Sequence, residues 1–329
     1  MIGDLELASL KKSYKGVPVL TGLDLRVDAG SILAVLGPSG CGKTTMLKVI
    51  TGLVRQDSGT VSIGDKALDG LPTRKRGIGM VFQNFSLFPH MSVRSNIEFG
   101  LRMKGTSSYE RRERTERLME LMGISDLKER RPTGLSGGQR QRVAIARALA
   151  PEPGVLLLDE PFASVDHETR RRLRKELKKL QRELGTTMVF VTHDQEEAFE
   201  VGYLTAVMNR GRIEQIGRPR DLYEEPSTPF IQRFVGKANV IRDPYGRGGQ
   251  VLFRPESVSL ERSAGRSPPG TMGGTFANYI YLGPYIDCTV DLDSGETISS
   301  LISRAEFMDK GLRRGDRVNL TIKESRPYS

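Results

Sequence analysis

The chain has 329 residues, 37% of them hydrophobic and 27% charged, with a formal net charge of +10. That is long enough for two domains and ordinary for a soluble globular protein. No apolar run approaches the roughly 18 residues of a membrane span, and the acidic start Met1-Ile2-Gly3-Asp4-Leu5-Glu6 is no secretory signal. The basic balance admits nucleic acid, an anionic membrane surface or a nucleotide as partner and does not choose among them. Cys41 and Cys288 sit in unrelated contexts, which predicts no disulfide and a reducing compartment.

Leu5 to Leu10 alternates and reads as a strand, and Val17 to Val27 reads as a strand pair broken near Thr21-Gly22. Tyr14 lies in a polar turn between them, either as packing or as a flat face for a base. Ile32-Leu33-Ala34-Val35-Leu36 is a short apolar run, the pattern of a buried strand. It leads into Gly37-Pro38-Ser39-Gly40-Cys41-Gly42-Lys43-Thr44-Thr45, which fits the phosphate-loop pattern G-x-x-x-x-G-K-[ST] and opens a helix ending at Thr51-Gly52. Glycines let backbone N–H groups converge on phosphate oxygens, and the helix N-terminus adds positive potential there. Lys43 can neutralise β- and γ-phosphates, and Thr44 offers a hydroxyl to Mg²⁺. A nucleoside triphosphate is the expected ligand.

Asp57 to Gly64 reads as turn, strand and turn. Gly77 to Gln83 is a short strand with a polar end, and Gln83 can coordinate Mg²⁺, orient a water or simply face solvent. Asn84-Phe85-Ser86-Leu87-Phe88-Pro89-His90-Met91 is apolar for a loop. It either folds onto its own core or presents a partner surface. Ser107 to Met122 reads as a helix with a capping box at Ser107 and Glu110 and a buried stripe of Leu118, Leu121 and Met122. Ser136-Gly137-Gly138-Gln139 precedes an Ala-rich helical run and makes a second helix N-terminus suited to phosphate.

Val155 to Leu158 is a continuous apolar run ending in Asp159 and Glu160. Such runs suit a parallel strand buried on both faces, and open α/β sheets bind ligands at the carboxyl ends of their strands. Two adjacent carboxylates there call for a cation. Asp159 is the metal candidate, and Glu160 the group that polarises an attacking water. Asp166 caps a helix with Leu173, Leu177, Leu180 and Leu184 on one face. The opposite face is basic, with Arg170, Arg171, Arg172, Arg174, Lys175, Lys178 and Lys179, and Gly185 ends the helix. Thr187 to Thr192 is a strand that delivers His193 to the same sheet edge as Asp159 and Glu160. After Gly236 short alternating runs take over: Val251 and Phe253, Val258 and Leu260, Ile286 to Leu292, and Val318 to Ile322. They read as a small β-barrel or sandwich, with Arg262 to Gly274 as a loop.

In this order and spacing the motifs of about residues 3–235 resemble the nucleotide-binding subunits of ATP-binding-cassette (ABC) transporters. The resemblance makes Tyr14 the adenine-stacking aromatic, Gly37 to Thr45 the Walker A loop and Gln83 the Q-loop glutamine. Leu135 to Gln139 becomes the signature motif, Val155 to Glu160 the Walker B strand with its catalytic glutamate, Asp166 the D-loop aspartate and His193 the switch histidine. Residues 236–329 are similar to the β-rich domain of importer ATPases of the maltose, ferric iron, sulfate, molybdate and polyamine groups, through Leu252-Phe253-Arg254-Pro255-Glu256-Ser257-Val258 and Gly315-Asp316-Arg317-Val318. Ala163-Ser164-Val165-Asp166 and Gly202-Tyr203-Leu204 depart from the family's usual Ser-Ala-Leu-Asp and Ala-Asp-Arg.

The resemblance implies an α/β P-loop NTPase with a mixed sheet core over residues 1–235 and a helical subdomain at about 84–150. A small all-β barrel of OB or TOBE type follows over 236–329. It implies ATP and Mg²⁺, with the ion held by Thr44, Gln83 and Asp159, and catalysis by Glu160, His193 and Gln83. It further implies a head-to-tail homodimer in which Ser136, Gly137 and Gly138 of one subunit face the other's phosphate loop. A membrane permease would dock near Gln83 to Met91 on the cytoplasmic face of the inner membrane, served indirectly by a solute-binding protein. The stretch Phe230 to Val240 points to an inorganic anion, ferric iron or polyamine as solute, with sugar as the alternative. A non-transport ABC ATPase acting on nucleic acid or ribosomes is the competing class; no long coiled-coil insertion favours it, and no nucleic acid is expected.

Overall fold

Residues 3–163, 165–244, 248–263, 268 and 270–328 are described by the computed structural model, so Met1, Ile2, Ser164 and part of the expected Arg262–Gly274 loop lie outside it. The chain divides into two units, Met1–Glu225 and Pro226–Ser329.

In the first unit the strands are β1 (Leu5–Tyr14), β2 (Val17–Val27), β3 (Ile32–Leu36), β4 (Ser58–Ile63), β5 (Lys66–Ala67), β6 (Ile78–Val81), β7 (Val155–Asp159), β8 (Thr187–Thr192), β9 (Leu204–Asn209) and β10 (Arg212–Gly217). The helices are α1 (Lys43–Thr51), α2 (Val93–Met103), α3 (Ser108–Leu121), α4 (Gly137–Leu149), α5 (His167–Leu184), α6 (Gln195–Val201) and α7 (Pro219–Glu224). The continuous apolar runs become the middle of a six-stranded sheet of order β10-β9-β3-β8-β7-β6. β3, β7 and β8 are buried along their whole lengths. They pair in parallel, Leu36 beside Thr192 and Asp159 beside Val191. That shared register brings Gly37, Glu160 and His193 to one edge. β10 closes the sheet antiparallel to β9.

A second, antiparallel sheet of order β2-β1-β4-β5 shares a core with the central one through Leu5, Leu7, Leu23, Leu25, Val61, Met46 and Val191. Each such fully buried side chain contributes about 1.5–3 kcal/mol of transfer free energy. The expected strand pair at Val17–Val27 is instead one strand. The register shifts between Leu10↔Leu23 and Lys11↔Thr21, so Gly22 marks a β-bulge and the strand bends without ending.

The helical part of this unit is α2 to α4. Ser107 and Glu110 make the expected capping box on α3. The buried stripe there is Leu118, Met119 and Met122, while Leu121 is exposed. Spacings of 1 and 4 from Leu118, in place of the 3 and 4 read from the sequence, turn the apolar face toward Met119. Asp166 caps α5, and Leu173, Leu177 and Leu180 are buried on it, as the periodicity predicts. The basic face is not uniformly solvated. Arg174 is 1% exposed and pairs with Glu200 at 2.8 Å and Glu196 at 3.5 Å, so it packs between α5 and α6.

The second unit contains α8 (Pro229–Phe234), β11 (Asn239–Arg242), β12 (Gln250–Phe253), β13 (Val258–Arg262), β14 (Met272–Tyr281), β15 (Tyr285–Leu292), β16 (Thr297–Ser303), α9 (Arg304–Lys310), β17 (Arg317–Ile322) and β18 (Arg326–Tyr328). Its sheets are β11-β12-β18 and β13-β17-β14-β15-β16, both antiparallel. The alternating residues meet in one core that includes Phe253, Leu260, Phe276, Ile286, Cys288, Val290 and Leu320. The unit begins before the composition shift at Gly236 because the buried Arg254 donates to the carbonyls of Gln232 (2.9 Å) and Lys237 (3.3 Å), tying α8 to the strands. β14 starts at Met272, inside the stretch expected to be loop.

Candidate functional site

The phosphate loop runs from the end of β3 into α1. Without Cβ atoms its glycines come close to the core: a Cβ on Gly37 would lie 2.3 Å from the Met208 carbonyl oxygen. Gly37 N–H donates to the Thr192 carbonyl (3.4 Å) and Gly211 N–H to the Cys41 carbonyl (2.9 Å), so β8 and the β9–β10 turn anchor the loop. The Lys43 ammonium is buried and donates to the carbonyls of Gly37 (2.7 Å) and Pro38 (3.0 Å). It therefore lies under the loop, facing the place where the backbone N–H groups converge. Cys41 is buried beside it, and burial pushes its thiol upward. Ser39 and Gly40 form the loop's tip, with Thr45 on the first turn of α1.

In the first turn of α1, the Thr44 hydroxyl donates to Asp159 Oδ1 at 3.0 Å. Asp159 is 6% exposed at the end of β7. Burial raises its carboxyl above the ordinary value, the Thr44 hydrogen bond opposes this, and the neighbouring Glu160 charge adds to it. A hydroxyl and a buried carboxylate aimed at one point offer hard oxygen ligands, the set that Mg²⁺ accepts while keeping water and phosphate as its remaining ligands.

Glu160 follows with φ 44°, a backbone conformation uncommon outside glycine. Such strain persists where surrounding structure holds it; here Glu160 N–H donates to the Val191 carbonyl at 3.1 Å. The turn points the carboxylate out of the sheet edge. Its Oε1 is 3.1 Å from His193 Nδ1, and its Oε2 accepts from Gln83 Nε2 at 3.4 Å. Two residues 110 positions apart thus flank one carboxylate: β6 leads to Gln83 and β8 to His193, on either side of Glu160 at the end of β7.

Ser136 caps α4. Its hydroxyl accepts from Gln139 N–H (3.3 Å), and Gln139 Oε1 accepts from Ser136 N–H (2.9 Å). Gly138 is buried against α5, where a Cβ would meet Thr169 Cγ2 at 2.8 Å. Among the described residues no hydrogen bond or ion pair joins Ser136–Gln139 to Gly37–Thr45. Asp166 is exposed, and the Thr169 N–H it accepts (3.0 Å) holds its carboxyl below the usual range. Tyr14 is 43% exposed at the end of β1, with Lys12 Nζ 5.6 Å from its ring centroid.

The apolar loop folds largely onto its own unit. Phe85 is buried, and Phe88 packs tilted against Phe99, ring centroids 4.7 Å apart. The fully buried Asn96 clamps Phe88 N–H (2.9 Å) and C=O (3.1 Å). Arg147, read from sequence only as part of a helical run, donates to the carbonyls of Ser86 (2.7 Å) and Phe85 (3.0 Å) and lies 5.4 Å from the Phe88 ring centroid. It links α4 to the segment after Gln83. Only its position one helix face away from the Ala stripe could have marked it. Gly202-Tyr203 ends α6, and the exposed Tyr203 hydroxyl accepts from Arg218 at 3.1 Å.

Known proteins fit this geometry. The family model described as ABC transporter matches residues 20–163, and the TOBE domain model matches residues 251–327. The sulfate/thiosulfate import ATP-binding protein of Synechococcus elongatus is 39% identical over 98% of this chain and 96% of its own length. The Fe(3+) ions import ATP-binding protein of Brucella abortus is 40% identical, covering 89% of each chain. The spermidine/putrescine import ATP-binding protein of Nitratidesulfovibrio vulgaris is 39% identical over 93% of this chain and 90% of its own. Among solved structures, a dimeric ATP-binding cassette in a post-hydrolysis state bound to ADP and phosphate is 35% identical, with a TM-score of 0.59 over 65% of this chain and 98% of that one. The Clostridium perfringens protein cbiO1, part of an ABC transporter complex, is 31% identical, with a TM-score of 0.62 over 68% of this chain and 92% of that one. The chain belongs to the ABC transporter family, as an import-type ATP-binding subunit that hydrolyses ATP and carries a C-terminal TOBE domain.

Proposed function

We propose that two copies of this chain bind and hydrolyse MgATP between them and so drive a membrane permease that imports a small ionic solute. The observation that carries the reading is the convergence of Gln83 and His193 on the Glu160 carboxylate, beside the Thr44–Asp159 pair. Phosphate oxygens meet the loop N–H groups of Gly37 to Thr45 and the Lys43 ammonium, and Tyr14 stacks on the base. Thr44, Asp159 and Gln83 hold Mg²⁺, which supplies charge neutralisation at the β- and γ-phosphates. Glu160 orients and polarises the attacking water, and His193 holds the γ-phosphate. Little covalent work falls to the protein, since phosphoryl transfer is catalysed by positioning and electrostatics.

Ser136, Gly137, Gly138 and Gln139 complete the site from the second copy, with Asp166 at the same seam. The support is that no hydrogen bond or ion pair among the described residues joins them to the chain's own phosphate loop, together with the dimeric state of a related cassette. The permease contacts the segment Gln83 to Met91, which Arg147 and Asn96 hold against the unit. No helix among the described residues is long and apolar enough to cross a membrane; by its likeness to the related import ATP-binding proteins we place the chain peripherally, at the cytoplasmic face. The solute belongs to the group of inorganic anions, ferric iron and polyamines, because the related import proteins serve these three. Glu160→Gln tests the catalytic part. It keeps the shape of the side chain and removes its charge, so kcat falls by about 10²–10⁴ while nucleotide binding persists and an ATP-bound dimer accumulates. Wild-type turnover in this variant overturns the assignment.

A further inference from the structure

Two charged groups that the site does not use lie directly behind His193. The Thr192 side chain is 1% exposed; its hydroxyl donates to Glu197 Oε2 at 2.6 Å and accepts from Asp194 N–H at 3.0 Å. One hydroxyl thus fixes the residues on both sides of His193. Glu197 is 3% exposed, and its N–H donates to Asp194 Oδ1 at 3.1 Å. A carboxylate this deep costs free energy unless it is paired. The nearest cation is Arg170 on α5, whose guanidinium lies 3.7 Å from both Glu197 Oε1 and Asp194 Oδ2. The same guanidinium donates to the Val165 carbonyl at 3.2 Å, one residue before Asp166.

We propose that the buried Thr192 and Glu197, with the half-buried Arg170, form a positioning assembly. It aims His193 at Glu160 and ties that aim to the segment carrying Asp166. None of the three touches the reacting atoms. They act by fixing the backbone on either side of His193 and by joining the start of α5 to the start of α6. If Asp166 moves when a second subunit closes on the site, Arg170 transmits the movement to the Asp194–Glu197 turn. The assignment rests on His193 acting at the γ-phosphate, and it gives Arg170 of the basic face a role beside the buried Arg174.

Thr192→Val is the test, because valine fills the same volume and makes neither hydrogen bond. A misplacement of about 1 Å at a catalytic group costs on the order of 10²-fold in rate. The expected result is a kcat lowered at least about tenfold with KM for ATP within about twofold of wild type, since neither residue meets nucleotide. Thr192→Ser, which restores the hydroxyl, returns kcat to within about threefold. Arg170→Met, at a partly exposed position, is the second variant and shows the same kcat-only loss. Wild-type kcat in Thr192→Val, no rescue by serine, or equal changes in kcat and KM overturns the proposal. His193→Ala is measured alongside: if it retains full kcat, the reading of His193 fails, whereas a defective His193→Ala beside a normal Thr192→Val removes only the positioning assembly.

Discussion

Substitution at two glycines of the phosphate loop separates backbone strain from steric overlap. Gly42 stands at φ 111°, and a Cβ there would lie 2.9 Å from the Val19 carbonyl oxygen and 2.9 Å from Met208 Cε. Gly40 stands at φ 81°, and its Cβ would meet nothing within 4 Å. Both alanines incur the left-handed backbone penalty of about 1–2 kcal/mol. Only the alanine at 42 also pushes on a backbone oxygen of β2, which cannot yield as the Met208 methyl can, and overpacking of that kind costs about 1–3 kcal/mol. Gly42→Ala therefore loses about 2–5 kcal/mol and Gly40→Ala about 1–2 kcal/mol, out of the roughly 5–15 kcal/mol a domain possesses. Urea unfolding of the ATP-binding unit reads the difference, with a midpoint lowered by on the order of 1 M or more for Gly42→Ala and clearly less for Gly40→Ala. Equal losses would refute the reasoning, since the overlap at Val19 would then carry no energy.

Asp159→Asn is expected to stabilise the nucleotide-free protein at neutral pH while abolishing Mg²⁺-dependent hydrolysis. The carboxyl's folded pKa is raised by burial, so its charge opposes folding above that pKa. The stability it contributes is fully present below the unfolded value and is lost as pH rises through the folded one. The gain from asparagine, followed by thermal unfolding, should therefore shrink as pH falls through the acid range; a gain that grows on acidification contradicts it. The buried thiol of Cys41, with its raised pKa, should alkylate slowly at neutral pH and faster as pH rises, hydrolysis should be lost in step, and ATP should protect. Cys288, pushed up to about 12 within the C-terminal core, should stay unmodified in the folded protein by mass spectrometry.

The local signals in the sequence were strong where one rule acted alone. The short continuous runs at Ile32–Leu36 and Val155–Asp159 read as buried strands and are, and Ser107, Ser136 and Asp166 announce helix starts through short-range hydrogen bonds. What was not legible depends on contacts between distant segments. Arg174 looks like a solvated basic residue until Glu196 and Glu200 of another helix are set beside it. Arg147 and Asn96 look like ordinary helix residues until the loop after Gln83 folds under them. The break expected at Gly22 is a bulge because β1 continues past it, which no property of β2 reveals. The same holds at Gly273-Gly274, where glycines that read as loop lie within β14, opposite β15 and β17. In the site, residue identities were legible and their meeting was not. Sheet order and register, set by long-range pairing, bring Gln83, Glu160 and His193 together.

In the proposed dimer the site is shared between two copies, the phosphate loop of one facing Ser136-Gly137-Gly138 of the other. The most direct measurement is the rate of MgATP hydrolysis per mole of purified chain across a wide range of protein concentration. A shared site predicts that this specific rate rises with concentration and levels off once dimers predominate. A specific rate independent of concentration, with the protein monomeric throughout by light scattering, would contradict it.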